Sequence, residues 1–240
     1  MCYDFLVKAA WRLFAMLSLL AVTPSVYSQD NFYDFIELGD YSVGFSDTLL
    51  IDETVKYQEF GYDGGVPLFV NIWHPIEKVS NPTYLSYADL RKKELKQSLK
   101  KVYETLESHM DSAFTWYNVE VDFDDYENID YGDLTPYQVQ EVLKTVKTKS
   151  QKATLPEKSE YPVIFYHHGA QGLSDENYLM AEYFASHGYL FVSANFHWPF
   201  KDKTYGFSSL SDYNNRATKR LIEFSKSISN SEQLYFIGHS

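Results

Sequence analysis

The chain has 240 residues, 45% of them hydrophobic, with 21 tyrosines and 17 phenylalanines. That is enough for a sizeable core of one or two domains, and it excludes global disorder. Basic residues number 21 against 33 acidic ones, a formal net charge of −12, so phosphate backbones and anionic lipid surfaces repel the chain and nucleic acid is not an expected partner.

The first 28 residues read as a secretory signal peptide. Lys8 and Arg12 make a positive start, Leu13 to Val22 is a short apolar run, and Thr23-Pro24 breaks it. Val26-Tyr27-Ser28 offers the residues a signal peptidase reads, which places the cut after Ser28. The apolar run is too short for a bilayer core, which needs about 20 residues, so no stable membrane span is expected. An uncleaved anchor or a buried helix is the alternative. The mature chain, 29–240, would be secreted or periplasmic. The cut removes Lys8, Arg12 and Asp4 and leaves 19 basic against 32 acidic residues, a net of −13. Cys2 is the only cysteine and lies in the signal. No disulfide, thiol nucleophile or lipid-modified cysteine is then expected in the mature chain.

Residues 42–51 and 66–74 read as two strands. In the second, Leu68, Val70 and Ile72 share one face, and Phe69, Asn71 and Trp73 the other. Asp63-Gly64-Gly65 between them signals a hairpin turn, and Pro75 is expected to stop the second strand. Residues 84–155 read as a helical insert. Ala88 to His109 is lysine-rich, with Leu90, Leu95, Leu99, Val102 and Leu106 at helical spacing. After the acidic stretch 121–133, Thr135-Pro136 opens a second helix over 137–148, with threonine as N-cap and proline in the first turn.

From Tyr161 the pattern alternates strand and helix. Pro162 to His167, Tyr189 to Ala194 and Gln233 to Ile237 are short apolar runs. Helices are expected over Ser174–His187, capped by Ser174 and ended by Gly188, and over Leu210–Ser229. Strands apolar on both faces and separated by helices indicate a mostly parallel sheet covered on both sides. One sheet is expected, with 162–167 between 189–194 and 233–237, and 66–74 beyond 189–194.

The last residues, Phe236-Ile237-Gly238-His239-Ser240, form a strand running into the front half of a G-x-S-x-G turn. Such a turn holds the serine in a strained conformation, and a side chain at Gly238 would crowd it. An ordinary polar strand end gives the same three residues. His168-Gly169-Ala170 follows strand 162–167, where a backbone N–H can meet the oxyanion of a tetrahedral intermediate. Ala170 N–H is the candidate donor, beside Gly169, whose lack of a side chain permits close approach. His167 and His168 read as structural anchors of this loop rather than as catalytic groups. Asn195-Phe196-His197-Trp198 follows the next strand, on the side where open α/β sheets bind ligands. His168, His197 and Trp198 are thus candidate pocket residues, although an aromatic loop packed over the sheet fits equally. No metal is expected. Asp122 and Asp124 lack the spacing of a calcium loop, and His167, His168 and His197 lack zinc-ligand spacing.

Tyr161 to Gly169, Ala181 to Tyr189 and Ile237 to Ser240 together resemble secreted α/β-hydrolases, with dienelactone hydrolase-like and platelet-activating factor acetylhydrolase-like proteins as the nearest families. The resemblance implies the N-terminal part of an α/β-hydrolase fold, opening on an antiparallel hairpin. It implies Ser240 as nucleophile, Ala170 N–H in the oxyanion hole, no cofactor, and a small-molecule or lipid-like ester as substrate. It also implies a later acid and histidine, whereas all seven histidines here precede Ser240. The sequence therefore reads as a chain truncated at its own nucleophile and inactive by itself. A non-catalytic remnant or pseudoenzyme is the alternative, and a peptidase on the same fold a third.

Overall fold

The computed structural model describes residues 33, 35–119, 134–169, 172–201 and 211–239. The expected signal peptide, the acidic stretch 121–133, Ala170 and Ser240 lie outside the described residues. The described residues build an α/β fold on a six-stranded mixed sheet. Its strands are β1 (Ser42–Tyr57), β2 (Gly64–Ile76), β3 (Ser150–Lys152), β4 (Val163–His167), β5 (Leu190–Ala194) and β6 (Leu234–Gly238), in the order β3-β1-β2-β5-β4-β6. Strands β4, β5 and β6 are parallel, and β2 runs antiparallel to β1 and β5. The order and directions are those expected from the sequence.

Alternation along the strands feeds two cores. Val163 and Phe165 join Leu68, Val70, Ile72, Leu190 and Val192 in one. Ile164 and Tyr166 join Trp73 and Phe191 in the other. Helix α2 (Gln97–Val119) sends Leu99, Val102 and Leu106 into the first core, and α5 (Ser211–Ser227) adds Ala217 and Leu221. Helix α4 (Tyr178–Ser186) sends Leu179, Ala181 and Ala185 into the second. Both faces of the sheet are therefore covered, as near-continuous apolar strands require. Strand β6 is an edge, and there Tyr235 and Phe236 are exposed.

Several local expectations are corrected. The hairpin turn does not use Asp63-Gly64-Gly65, because Gly64 and Gly65 already pair with Tyr57 and Lys56. The chain reverses instead at Phe60 and Gly61, which both take positive φ. Pro75 does not stop β2, which pairs on through Pro75 to Ile76. Its pairing with β5 spans only Val70 to Trp73, so at Pro75 one side needs no N–H donor. The expected helix Ala88–His109 is broken into α1 (Tyr87–Arg91) and α2. Lys92 leaves α1 in an extended conformation, and Lys93 turns inward to bond Asn71 and lie over the Phe45 ring.

Helix α3 (Pro136–Thr145) starts as expected. The Thr135 side chain and Gln138 form a reciprocal capping box, with Pro136 in the first turn. Ser174, by contrast, caps nothing. Residues 174–177 form a turn, and α4 starts after Asn177, whose side chain makes no cap bond. Its amide donates to the Tyr166 hydroxyl instead. Gly188 does follow the end of α4 with φ of 90°, a left-handed value that favours glycine.

The excursion between β2 and β4 ends where it began. Leu85 N donates to Ser150 O at 2.9 Å, and Thr148 N returns a bond to Leu85 O at 2.9 Å. The chain then adds β3 to the sheet edge, parallel to β1. The buried Glu182 carboxylate on α4 fastens this junction. It accepts from Ser150 Oγ at 2.6 Å, Lys149 N at 2.8 Å and the Tyr33 hydroxyl. Burial pushes Glu182 up to about 7, against the pull of those donors.

Candidate functional site

Parallel strands β4 and β6 bring their C-terminal ends together. Pairing runs from Val163 opposite Leu234 to His167 opposite Gly238. One further bond, His239 N to His167 O at 3.0 Å, extends the ladder past both strand ends. The residue preceding Ser240 therefore lies beside the loop His168-Gly169, which precedes Ala170.

The loop after β5 closes over the same edge. Phe196 N donates to His168 Nε2 at 2.9 Å, and His168 Nδ1 bonds Gly169 O at 2.8 Å. An accepting Nε2 leaves the proton on Nδ1, so His168 is a neutral imidazole whose two nitrogens both hold backbone. Burial, then the neighbouring His197, keeps its pKa well below the usual value. The His167 ring stacks on Phe196 with centroids 3.9 Å apart. Asn195 accepts from Phe69 N at 2.7 Å and donates to His197 O at 3.0 Å. The Trp198 indole donates to Pro67 O at 2.6 Å. His168, His197 and Trp198 are all buried, so the side chains after β4 and β5 pack this end of the sheet and fix its loops. His168 and His197 have ring centroids 5.0 Å apart, but among the described residues no three His, Cys, Asp or Glu side chains are grouped to hold a metal ion. Nor is any described helix long and apolar enough to cross a membrane.

Glu176 is the group that sequence reasoning missed. It sits in the turn 174–177, and its Oε1 accepts from Gly169 N at 3.1 Å, His239 Nδ1 at 3.1 Å and the Tyr166 hydroxyl. Two glycines make room. A Cβ on Gly172 would meet Glu176 Oε2 at 1.8 Å, and one on Gly169 would meet His239 Nδ1 at 2.8 Å. Gly169 thus has a packing reason independent of any substrate. The spacing Gly169-x-x-Gly172, followed by an acid in a short turn, was the available signal.

Asp175, next in sequence, is also buried but approaches the opposite partner, Arg91 of α1, at 3.9 Å. Arg91 also meets Glu107 at 3.1 Å and Asp111 at 3.0 Å. Arg91, Glu107 and Asp111 line a cavity of about 340 Å³ with Lys93, Lys100 and Lys144. Its cations are already engaged: Lys100 with Glu104, Lys144 with Glu141 and Asp111, and Lys93 with Asn71. This ion-pair network joins the excursion to the 174–177 turn.

Histidine burial here has a pH consequence. Burial, helped by His167 and opposed by a bond with the Gly169 backbone, brings His197 down from 6.5 to about 4. A depressed folded pKa gives stability that is fully present above pH 6.5 and lost as pH falls through about 4. Over that interval the contribution is about 3 kcal/mol. Glu182, raised in the fold, acts in the opposite sense between about 4.5 and 7, so the histidine is read by difference. Urea unfolding of wild type and His197→Gln at pH 7 and pH 4 should show wild type losing about 3 kcal/mol more. Equal losses would remove His197 from the account.

No family model matches the chain, and no curated protein matches it. Eight chains of solved structures do. One is a ferulic acid esterase from Streptomyces cinnamoneus, 15% identical with a TM-score of 0.46, the match covering 83% of this chain and 52% of that one. The present chain thus spans about half the length of that structure.

Proposed function

We propose that this chain belongs to a secreted serine hydrolase that cleaves a carboxylic ester through an acyl-enzyme, in the manner of dienelactone hydrolase-like or platelet-activating factor acetylhydrolase-like proteins. One observation supports the reading above others: the bond from His239 N to His167 O, which draws the Gly238-His239 turn against the His168-Gly169 loop. A nucleophile and an oxyanion donor are needed on those two neighbouring segments.

In this reading Ser240 Oγ attacks the ester carbonyl. Ala170 N–H and the N–H after Ser240 hold the oxyanion. A histidine oriented by an acid, both from chain beyond residue 240, takes the serine proton and gives it to the leaving alcohol; water, deprotonated by the same histidine, then attacks the acyl-enzyme and releases the acid product and the free serine. No cofactor enters. The rigid packing of His168, Phe196 and Trp198 serves preorganisation, because donors already in place need no rearrangement when charge develops.

The test is to express residues 29–240 and the gene's reading frame through its natural stop, and to assay both with a short-chain aryl ester. The expected result is a frame that continues into x-Gly and a later Asp and His, with turnover by the longer polypeptide alone. A longer polypeptide carrying those residues but unable to hydrolyse any aryl ester would move the reading to a non-catalytic relative of the fold.

A further inference from the structure

We propose that Glu176 is a positioning residue of this site: its carboxylate ties the oxyanion loop, through the Gly169 N–H, to the turn presenting Ser240, through the His239 imidazole. The proposal rests on the hydrolase reading of Ser240. Among the described residues, the backbone bond that joins the two segments past the strand ends is His239 N to His167 O at 3.0 Å, and that bond does not fix the loop beyond His167. Glu176 supplies the cross-link on the far side. A single oxygen receives donors from β4 (Tyr166), the oxyanion loop (Gly169) and the end of β6 (His239). The carboxylate side chain is only 15% exposed, so water competes poorly for those donors. Bonds to an ionised acceptor are roughly twice as strong as neutral ones.

Two further observations agree. The space the pair occupies is held open by Gly169 and Gly172, at each of which a Cβ would collide with the pair. The Glu176 hydrogen bond also raises His239 above the usual histidine value, against burial. Among the described residues, titratable groups beside this pair include Tyr166, whose hydroxyl donates to the same Glu176 oxygen, and His167 and His168, whose rings bond backbone carbonyls. In this role Glu176 acts through Gly169 and His239 rather than on the substrate. Its effect would be on the separation between nucleophile and oxyanion donor, where an error of about 1 Å can cost about 100-fold in rate.

Three measurements test this. First, NMR titration of His239 in the 240-residue chain needs no turnover, and Glu176→Gln should lower the His239 pKa. An unchanged titration would overturn the coupling, whatever the fate of the hydrolase reading. Second, in the polypeptide that hydrolyses esters, Glu176→Gln should lower kcat about 100-fold with KM within about twofold. An unchanged kcat, or a loss confined to KM, would overturn the positioning role. Third, Gly172→Ala should displace the carboxylate while keeping every charge, and so reproduce the kcat loss. The double variant should be no worse than either single one. Additive losses would show that the two residues act separately. Should Glu176→Gln fail to fold, Gly172→Ala carries both the titration and the kinetics. Absence of ester hydrolysis in every polypeptide would sink the hydrolase reading while leaving the titration to decide whether Glu176 holds His239.

Discussion

Replacing Ser240 by alanine is expected to reduce ester hydrolysis by at least about a thousandfold, with the fold intact. The substitution removes the only protein atom in the proposed mechanism that bonds covalently to the substrate carbonyl. What remains is the oxyanion loop, which binds and polarises but cannot form an acyl-enzyme. The measurement is kcat/KM for a short-chain aryl ester in whichever polypeptide turns it over, with thermal unfolding as control. Turnover by the 240-residue chain, abolished in the alanine variant, would assign the base to one of the seven histidines already present and correct the proposal. Turnover unaffected by the substitution would remove Ser240 from the chemistry.

Trp73→Ala should destabilise the fold by about 3–5 kcal/mol, a large share of a domain's usual margin. Trp73 is fully buried. It sits on β2 opposite Phe191 of β5, the antiparallel junction between the hairpin and the parallel strands. Its ring meets Phe45 of β1 at 5.1 Å and Phe191 at 6.1 Å. Alanine would leave a cavity shared by three strands, and a sheet braced on both faces can close it only in part. Urea unfolding followed by circular dichroism gives the value. A cost below about 1 kcal/mol would mean that the two halves of the sheet hold together without this ring.

The sheet was legible because its strands β4, β5 and β6 are short apolar runs between helices, a pattern with few topological solutions. Thr135 and Gly188 were legible because caps depend on side chains close in sequence. Failures arose where a partner distant in sequence decided the outcome. Strand β3 is three residues, Ser-Gln-Lys, with no apolar alternation; it exists because β1 offers an open edge. The break between α1 and α2 follows from Lys93 reaching Asn71, 22 residues earlier. Ser174 was the natural cap by type, but Asn177 at the helix start is held by Tyr166. In the site, the reading of His168 as an anchor of its loop agrees with its bonds to Phe196 N and Gly169 O. Glu176 was missed because its partners Tyr166, Gly169 and His239 come together only once β4 and β6 are side by side.

The closed base of the excursion has a consequence for how such proteins diverge. Leu85 and Ser150 are bonded neighbours, so whatever chain runs between them leaves and rejoins the sheet through one doorway. The entropy of closing a loop rises only slowly with its length. Residues can then be added to or removed from the far part of this stretch over generations while the strands behind the doorway keep their register. Deeper in, α2 packs on the core, and Arg91 reaches Asp175, on the turn that also carries Glu176. Length variation that spares α2 and the Arg91–Asp175 pair would leave the 174–177 turn undisturbed, and variation that severs that pair would be felt there first.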